Sequence, residues 1–117
     1  MVWDGPVNIC TYRVKEGARE QFIELLRKHW PTLRKAGLAS ATPAMHFEFV
    51  PTDESGRHEE SGPTFLEIFA WSRPDGADLA HKSPEVMAVW EPMGALVEER
   101  DGRPSMEFPM FKPLHLV

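Results

Sequence analysis

The stretch Thr64-Phe-Leu-Glu-Ile-Phe-Ala-Trp71 decides how this chain folds. Aromatic and β-branched residues dominate it, and they alternate: Phe65, Glu67, Phe69 and Trp71 fall on one side, Leu66, Ile68 and Ala70 on the other. A period of two over a short run of such residues reads as a β-strand. Both sides are largely apolar, so a sheet containing this strand needs cover on both faces.

Upstream, residues 51–63 are polar, begin and end in proline, and carry two glycines. Their composition predicts a long, mobile, acidic hairpin loop. Before it, Pro43 to Val50 alternates Met45, Phe47 and Phe49 against Ala44, His46 and Glu48, giving a strand with one clearly apolar face. Val7 to Val14 is another strand, rich in β-branched residues. Between these two strands, a helical stretch opens at Lys15-Glu16-Gly17. Its stripe of Phe22, Leu25, Leu26, His29 or Trp30, and Leu33 recurs every three or four residues. Pro31 inside the stripe predicts a kink or a restarted helix, and Gly37 a C-cap.

Downstream, Pro74 and Asp75 start a short helical turn through Lys82, and Ser83-Pro84-Glu85 is a strong helix start. Serine caps free amides, proline suits the first helical position, and glutamate favours the positive end of the helix dipole. Val86, Trp90, Met93 and Val97 carry the apolar stripe on towards Glu99, and Pro92 predicts a second kink. After the Asp101-Gly102 turn, Ser105 to Lys112 alternates again, and Pro109 assigns it to a sheet edge.

The order is strand, helix, strand, strand, helix, strand. That is a ferredoxin-like α+β arrangement with a four-stranded antiparallel sheet, in one domain spanning residues 1–117. Two helices cover only one face of such a sheet. The other requires a partner sheet, most simply from a second copy of the chain, so a homodimer is expected.

Composition narrows the function. The 117 residues are 42% hydrophobic and 26% charged, an ordinary globular balance. Lys and Arg number 13 against 18 Asp and Glu, a formal net charge of −5 with the basic residues scattered, which argues against nucleic-acid binding. No apolar run reaches the roughly 20 residues of a bilayer span, and residues 1–6 lack a basic region followed by an apolar stretch. A soluble, unprocessed, cytoplasmic protein is expected, with no membrane partner. The single cysteine, Cys10, forms no internal disulfide and reads as a buried, inert thiol. The sequence contains no glycine-rich phosphate loop, no Gly-x-Ser-x-Gly elbow and no Cys-x-x-Cys pair.

Three segments, in this order and spacing, carry a resemblance: Tyr12-Arg-Val-Lys-Glu-Gly-Ala-Arg-Glu-Gln-Phe22, Phe65-Leu-Glu-Ile-Phe-Ala-Trp-Ser72, and His81-Lys-Ser-Pro-Glu-Val86. Together they resemble the antibiotic biosynthesis monooxygenase-like members of the dimeric α+β barrel superfamily, over nearly the whole chain. The resemblance implies a homodimer whose sheets pair into a barrel, with a ligand pocket in each subunit between sheet and helices. It also implies an activity, since some relatives oxidise polycyclic phenols or quinols with dioxygen and neither metal nor flavin. Others degrade haem. Two departures stand out. His81 lies two residues ahead of Ser83, where the family's histidine lies three ahead, and a one-residue shift turns a helical side chain by about 100°. Of the haem-degrading set only Asn8 has a counterpart; Ala80 and Trp90 occupy the other two positions.

The candidate site residues follow. His81 is the candidate catalytic group, an imidazole that titrates near neutral pH and accepts a phenolic proton. Trp71 and Trp90 are candidate flat walls for an aromatic substrate, with plain core packing as the simpler reading. Asn8 and Tyr12 share a face of the first strand and are placed to orient a ligand oxygen. Arg13 points the other way and reads as a surface or interface salt-bridge partner. His46, Glu48 and Glu67 are a possible metal set, but polar groups lining a wet barrel interior or dimer seam explain them better, so no metal or other cofactor is expected. His29-Trp30 on the first helix has two readings, reach to the pocket mouth and plain helix packing, of which packing is the simpler. The expected function is a small cofactor-independent monooxygenase acting on an aromatic or quinol-type molecule. The alternative is a non-catalytic, small-molecule-binding homodimer, and a third reading is a structural interaction module.

Overall fold

The computed structural model describes residues 3–50 and 62–116. Among them are β1 (Val7–Arg13), α1 (Arg19–Lys35), β2 (Met45–Glu48), β3 (Thr64–Phe69), α2 (Gly76–His81), α3 (Pro84–Ala95), β4 (Met106–Glu107) and β5 (Met110–Phe111). The strands form one antiparallel sheet in the order β2-β3-β1-β4, with β5 also pairing β1. This is the expected ferredoxin-like layout. Most of the expected acidic loop, residues 51–61, lies outside the described residues.

The expected last strand is split into β4 and β5, and Pro109 is the reason. Tyr12 faces Met106 and Asn8 faces Met110 in one continuous register, so no residue is inserted between the pieces. The Ile9 amide donates to the Pro109 carbonyl at 3.0 Å, but proline has no N–H to return the bond. The segment lies at the sheet edge as expected, yet the missing donor faces inward onto β1 and removes one rung of the ladder.

Helix ends follow their local chemistry. The Ser83 hydroxyl accepts from the Val86 amide at 3.3 Å, with Pro84 in the first turn. α1 ends at Gly37, whose φ of 78° places it in the left-handed region. There the Leu38 amide donates to the Leu33 carbonyl and the Gly37 amide to the Arg34 carbonyl, closing a Schellman motif over the buried Leu33 and Leu38. α1 is one continuous helix through Pro31, without the restart that the proline suggested. α3 stops at Ala95 rather than near Glu99, because residues 96–98 leave the helix to run beside β1. The Lys15 amide donates to Leu96, and the Glu98 amide to Arg13.

All three helices lie on one face of the sheet. Phe22 is fully buried between Tyr12 and Phe65, with ring centroids 5.1 and 5.8 Å apart. Burying a side chain of this size contributes about 2–3 kcal/mol. The opposite face carries Met45, Phe47 and Phe111, which are 40%, 46% and 52% exposed. Arg13, expected as a surface or interface salt-bridge partner, is instead buried and pairs within the chain with Glu107 at 2.8 Å. Among the described residues, no helix is long and apolar enough to cross a membrane.

Candidate functional site

Strand register builds the centre of the site. Glu67 on β3 lies directly opposite Cys10 on β1 and His46 on β2, on the same helix-facing side as Phe65 and Phe69. Its exposure is 0%. A carboxylate deprived of water is tolerated only when its oxygens are bonded, and these are. Tyr12 donates its hydroxyl proton to Glu67 Oε1 at 2.6 Å, and His29 Nδ1 lies 2.8 Å from the same oxygen. His46 Nε2 meets Oε2 at 2.7 Å. Burial alone would raise the Glu67 pKa, but the attraction of His29 and the bonds from His29, His46 and Tyr12 outweigh it and hold the carboxyl at about 2. The effect on neighbours is opposite. Burial, then the Glu67 charge, pushes the Cys10 thiol up to about 12 and raises Tyr12 well above the ordinary phenol value.

Hydrogen bonding fixes the proton on His29. The Trp90 indole donates from Nε1 to His29 Nε2 at 2.8 Å, and an indole N–H only donates. In the neutral ring Nε2 is therefore the unprotonated nitrogen. Nδ1 carries the proton and gives it to Glu67. Trp90, His29 and Glu67 form a chain in which a buried carboxylate orients an imidazole from behind, the arrangement that fixes a histidine's tautomer.

In front of this imidazole, between the sheet and α2 and α3, lies a cavity of about 530 Å³. Phe69, Met87, Met93 and Met106 supply apolar wall, and His29 and Cys10 also reach it. All five site residues expected from the sequence, Asn8, Tyr12, Trp71, His81 and Trp90, line this one cavity. Their polar atoms are engaged to different degrees. Trp71 Nε1 donates to Asn8 Oδ1 at 2.8 Å, and Asn8 Nδ2 donates to the Phe108 carbonyl at 3.3 Å, so Asn8 fastens Trp71 and the last strand together. Gly76 at the start of α2 lets Trp71 pack closely, since a Cβ there would stand 2.6 Å from the indole ring. His81 is exposed at the rim, its ring edge-on to Trp90 at 4.9 Å, and makes no hydrogen bond among the described residues.

The possible metal set does not assemble. His46 and Glu67 meet, but Glu48 turns to Arg19, which holds its two carboxylate oxygens at 2.7 and 3.0 Å. Among the described residues, no group of three His, Cys, Asp or Glu is placed to hold a metal ion. Nor does Glu67 line a wet interior, because Tyr12 and His29 seal one of its oxygens from the helix side. Sequence reasoning did not assign His29 to the site, because a histidine in an apolar helical stripe reads as packing. The available signal was the pairing of two polar residues, His29 and Glu67, on inner faces that are otherwise apolar.

No family model matches the sequence, and no curated protein matches it. Solved structures do. One titled an antibiotic biosynthesis monooxygenase is 14% identical, with a TM-score of 0.62, over 94% of this chain and 99% of its own. SnoaB of Streptomyces nogalater, described as a cofactor-independent oxygenase, is 13% identical with a TM-score of 0.58 over 98% of each chain. A putative antibiotic biosynthesis monooxygenase from Nitrosomonas europaea is 14% identical with a TM-score of 0.62, over 96% of this chain and 92% of its own. The fold is thus the one found in antibiotic biosynthesis monooxygenase-like structures. Proteins of unknown function also share it.

Proposed function

We propose that this chain is a small monooxygenase that oxidises an aromatic, phenol- or quinol-type molecule with dioxygen and no cofactor. One observation carries the reading: a cavity of about 530 Å³ walled by Trp71, Trp90, Phe69 and methionines, onto which imidazoles open. The substrate ring would lie against the two indoles, with Asn8 and Tyr12 lining the same cavity while their polar atoms hold Trp71 and Glu67 in place. An imidazole of the wall, either His81 at the rim or His29 at the base, would take the phenolic proton and leave an electron-rich anion beside dioxygen. For a substrate oxidised at a ring CH₂, one oxygen atom becomes the new carbonyl oxygen. The other leaves as water with the two hydrogens of that carbon.

The working unit is proposed to be a homodimer in the cytoplasm. Met45, Phe47 and Phe111 leave this sheet face partly exposed, a surface that a second copy's sheet would bury. An oxygen electrode tests the activity: with a panel of hydroquinones and anthrone-type phenols, uptake above buffer is expected. Uptake equal to buffer for every compound would remove the reading. A second reading, binding without turnover, is favoured by the Trp90 indole, which already occupies the lone pair of His29. Recovery of the bound compound chemically unchanged would establish it.

A further inference from the structure

We infer that His29, not His81, is the base of this pocket, and that Glu67 is its positioning residue. The inference rests on the reading of the pocket as a phenol site and names the group that acts there. Three observations separate the two imidazoles. The first is tautomer. His29 is held with Nδ1–H on Glu67 Oε1 and its Nε2 lone pair bonded by the Trp90 indole, both rings lining the cavity, whereas His81 has no hydrogen bond among the described residues to fix either nitrogen. The second is charge. A proton accepted at Nε2 makes an imidazolium whose other nitrogen already bonds a buried carboxylate, and that pairing is strong where water is excluded. The third is rigidity. His29 is buried in the apolar stripe of α1, and Phe69 meets its ring edge-on at 5.6 Å. A base held by its packing loses little freedom when the substrate arrives.

The step balances without a further reactant. The substrate O–H bond breaks, its electron pair stays on oxygen, and a new N–H bond forms at His29 Nε2. The substrate hydroxyl displaces the Trp90 indole N–H from that lone pair. Glu67 keeps its negative charge throughout, shared among His29, Tyr12 and His46. His46, 39% exposed at its side chain, is the solvent-side end of the cluster, in a groove with Arg27 and Glu48. Arg27 there pairs with Glu24, and Glu48 with Arg19.

4-Nitrophenol tests this without any turnover, because its phenolate is coloured and its phenol is not. Saturating protein is titrated into the probe at a pH where most of the free probe is un-ionised. Wild type is expected to bind it as the phenolate. In His29→Gln the ratio of bound phenolate to bound phenol is expected to fall about tenfold, the equivalent of one pKa unit. Glu67→Gln should follow in the same direction. Trp90→Phe keeps His29 and Glu67 but removes the competing indole proton, so its bound probe should be more ionised than in wild type. This variant decides the matter if the first two fail to fold. Ionisation lost in His81→Ala but kept in His29→Gln would overturn the inference, as would wild type binding the probe as neutral phenol or not at all, or a Trp90→Phe variant no more ionising than wild type. A wild type that ionises the probe but takes up no oxygen with any substrate would sink the oxygenase reading and leave His29 as the base.

Discussion

At the scale of single residues, Glu67 governs the site. Its folded pKa lies below the ordinary value of 4.5, so its contribution to stability is present above that value and is lost as pH falls towards about 2. Chemical-denaturation midpoints measured from neutral pH downwards should therefore hold steady, then drop across that window. In Glu67→Gln the drop should be smaller. An identical acid profile in the two proteins would contradict the bonding described. Cys10 gives a second expectation. With its pKa pushed up to about 12, burial first and the Glu67 charge second, it has almost no thiolate at neutral pH. Native protein should resist iodoacetamide, and denatured protein should react fully, as read by mass spectrometry. Fast labelling of the native form would contradict the placement. Asn8, Tyr12, Trp71, His81 and Trp90 were singled out from strand alternation, aromatic character and the resemblance, and all five line the cavity, although the sequence left open which sheet face lines it. The His29–Glu67 pair was not, because its distance depends on how α1 is docked across β3, and no periodicity carries that docking.

At the scale of elements, local chemistry was legible wherever a single residue type performs the task. Ser83 and Pro84 start α3 where the sequence placed its start, and Gly37 ends α1 through a left-handed turn. Ser83→Ala should cost about 1 kcal/mol, seen as a lower urea midpoint with an unchanged slope. An unchanged midpoint would mean that the cap contributes nothing. The C-terminal end of α3 was not legible. Leu96 and Val97 prolong the helical stripe in sequence, but the strand-end backbone at Val14 and Lys15 offers them partners that a helix would leave unused. Pro109 was legible as an edge residue, yet its consequence, two strand pieces instead of one, depends on which side of the strand the missing amide faces. Gly76→Ala belongs to this scale as well. The added methyl would drive Trp71 from its seat, so a loss of probe affinity is expected with the fold intact by circular dichroism.

At the scale of the whole molecule, element order and two-sided strands gave the architecture, and the partly exposed face is the feature that a single chain leaves unexplained. Burying Phe47 and its neighbours against a second copy predicts twice the chain mass by native mass spectrometry at low micromolar concentration. Phe47→Asp should shift this to the monomer, since a carboxylate in such a seam loses its water without gaining a partner. A clean monomer in wild type would refute the dimer. The central claim, that the pocket oxidises an aromatic molecule with dioxygen itself, is tested most directly by isotope incorporation. Protein, an anthrone-type phenol and dioxygen carrying heavy oxygen are incubated, and the product is weighed by mass spectrometry. The account predicts one heavy oxygen atom in the product carbonyl and the other in water. A product formed without heavy oxygen, or substrate recovered intact, would contradict it.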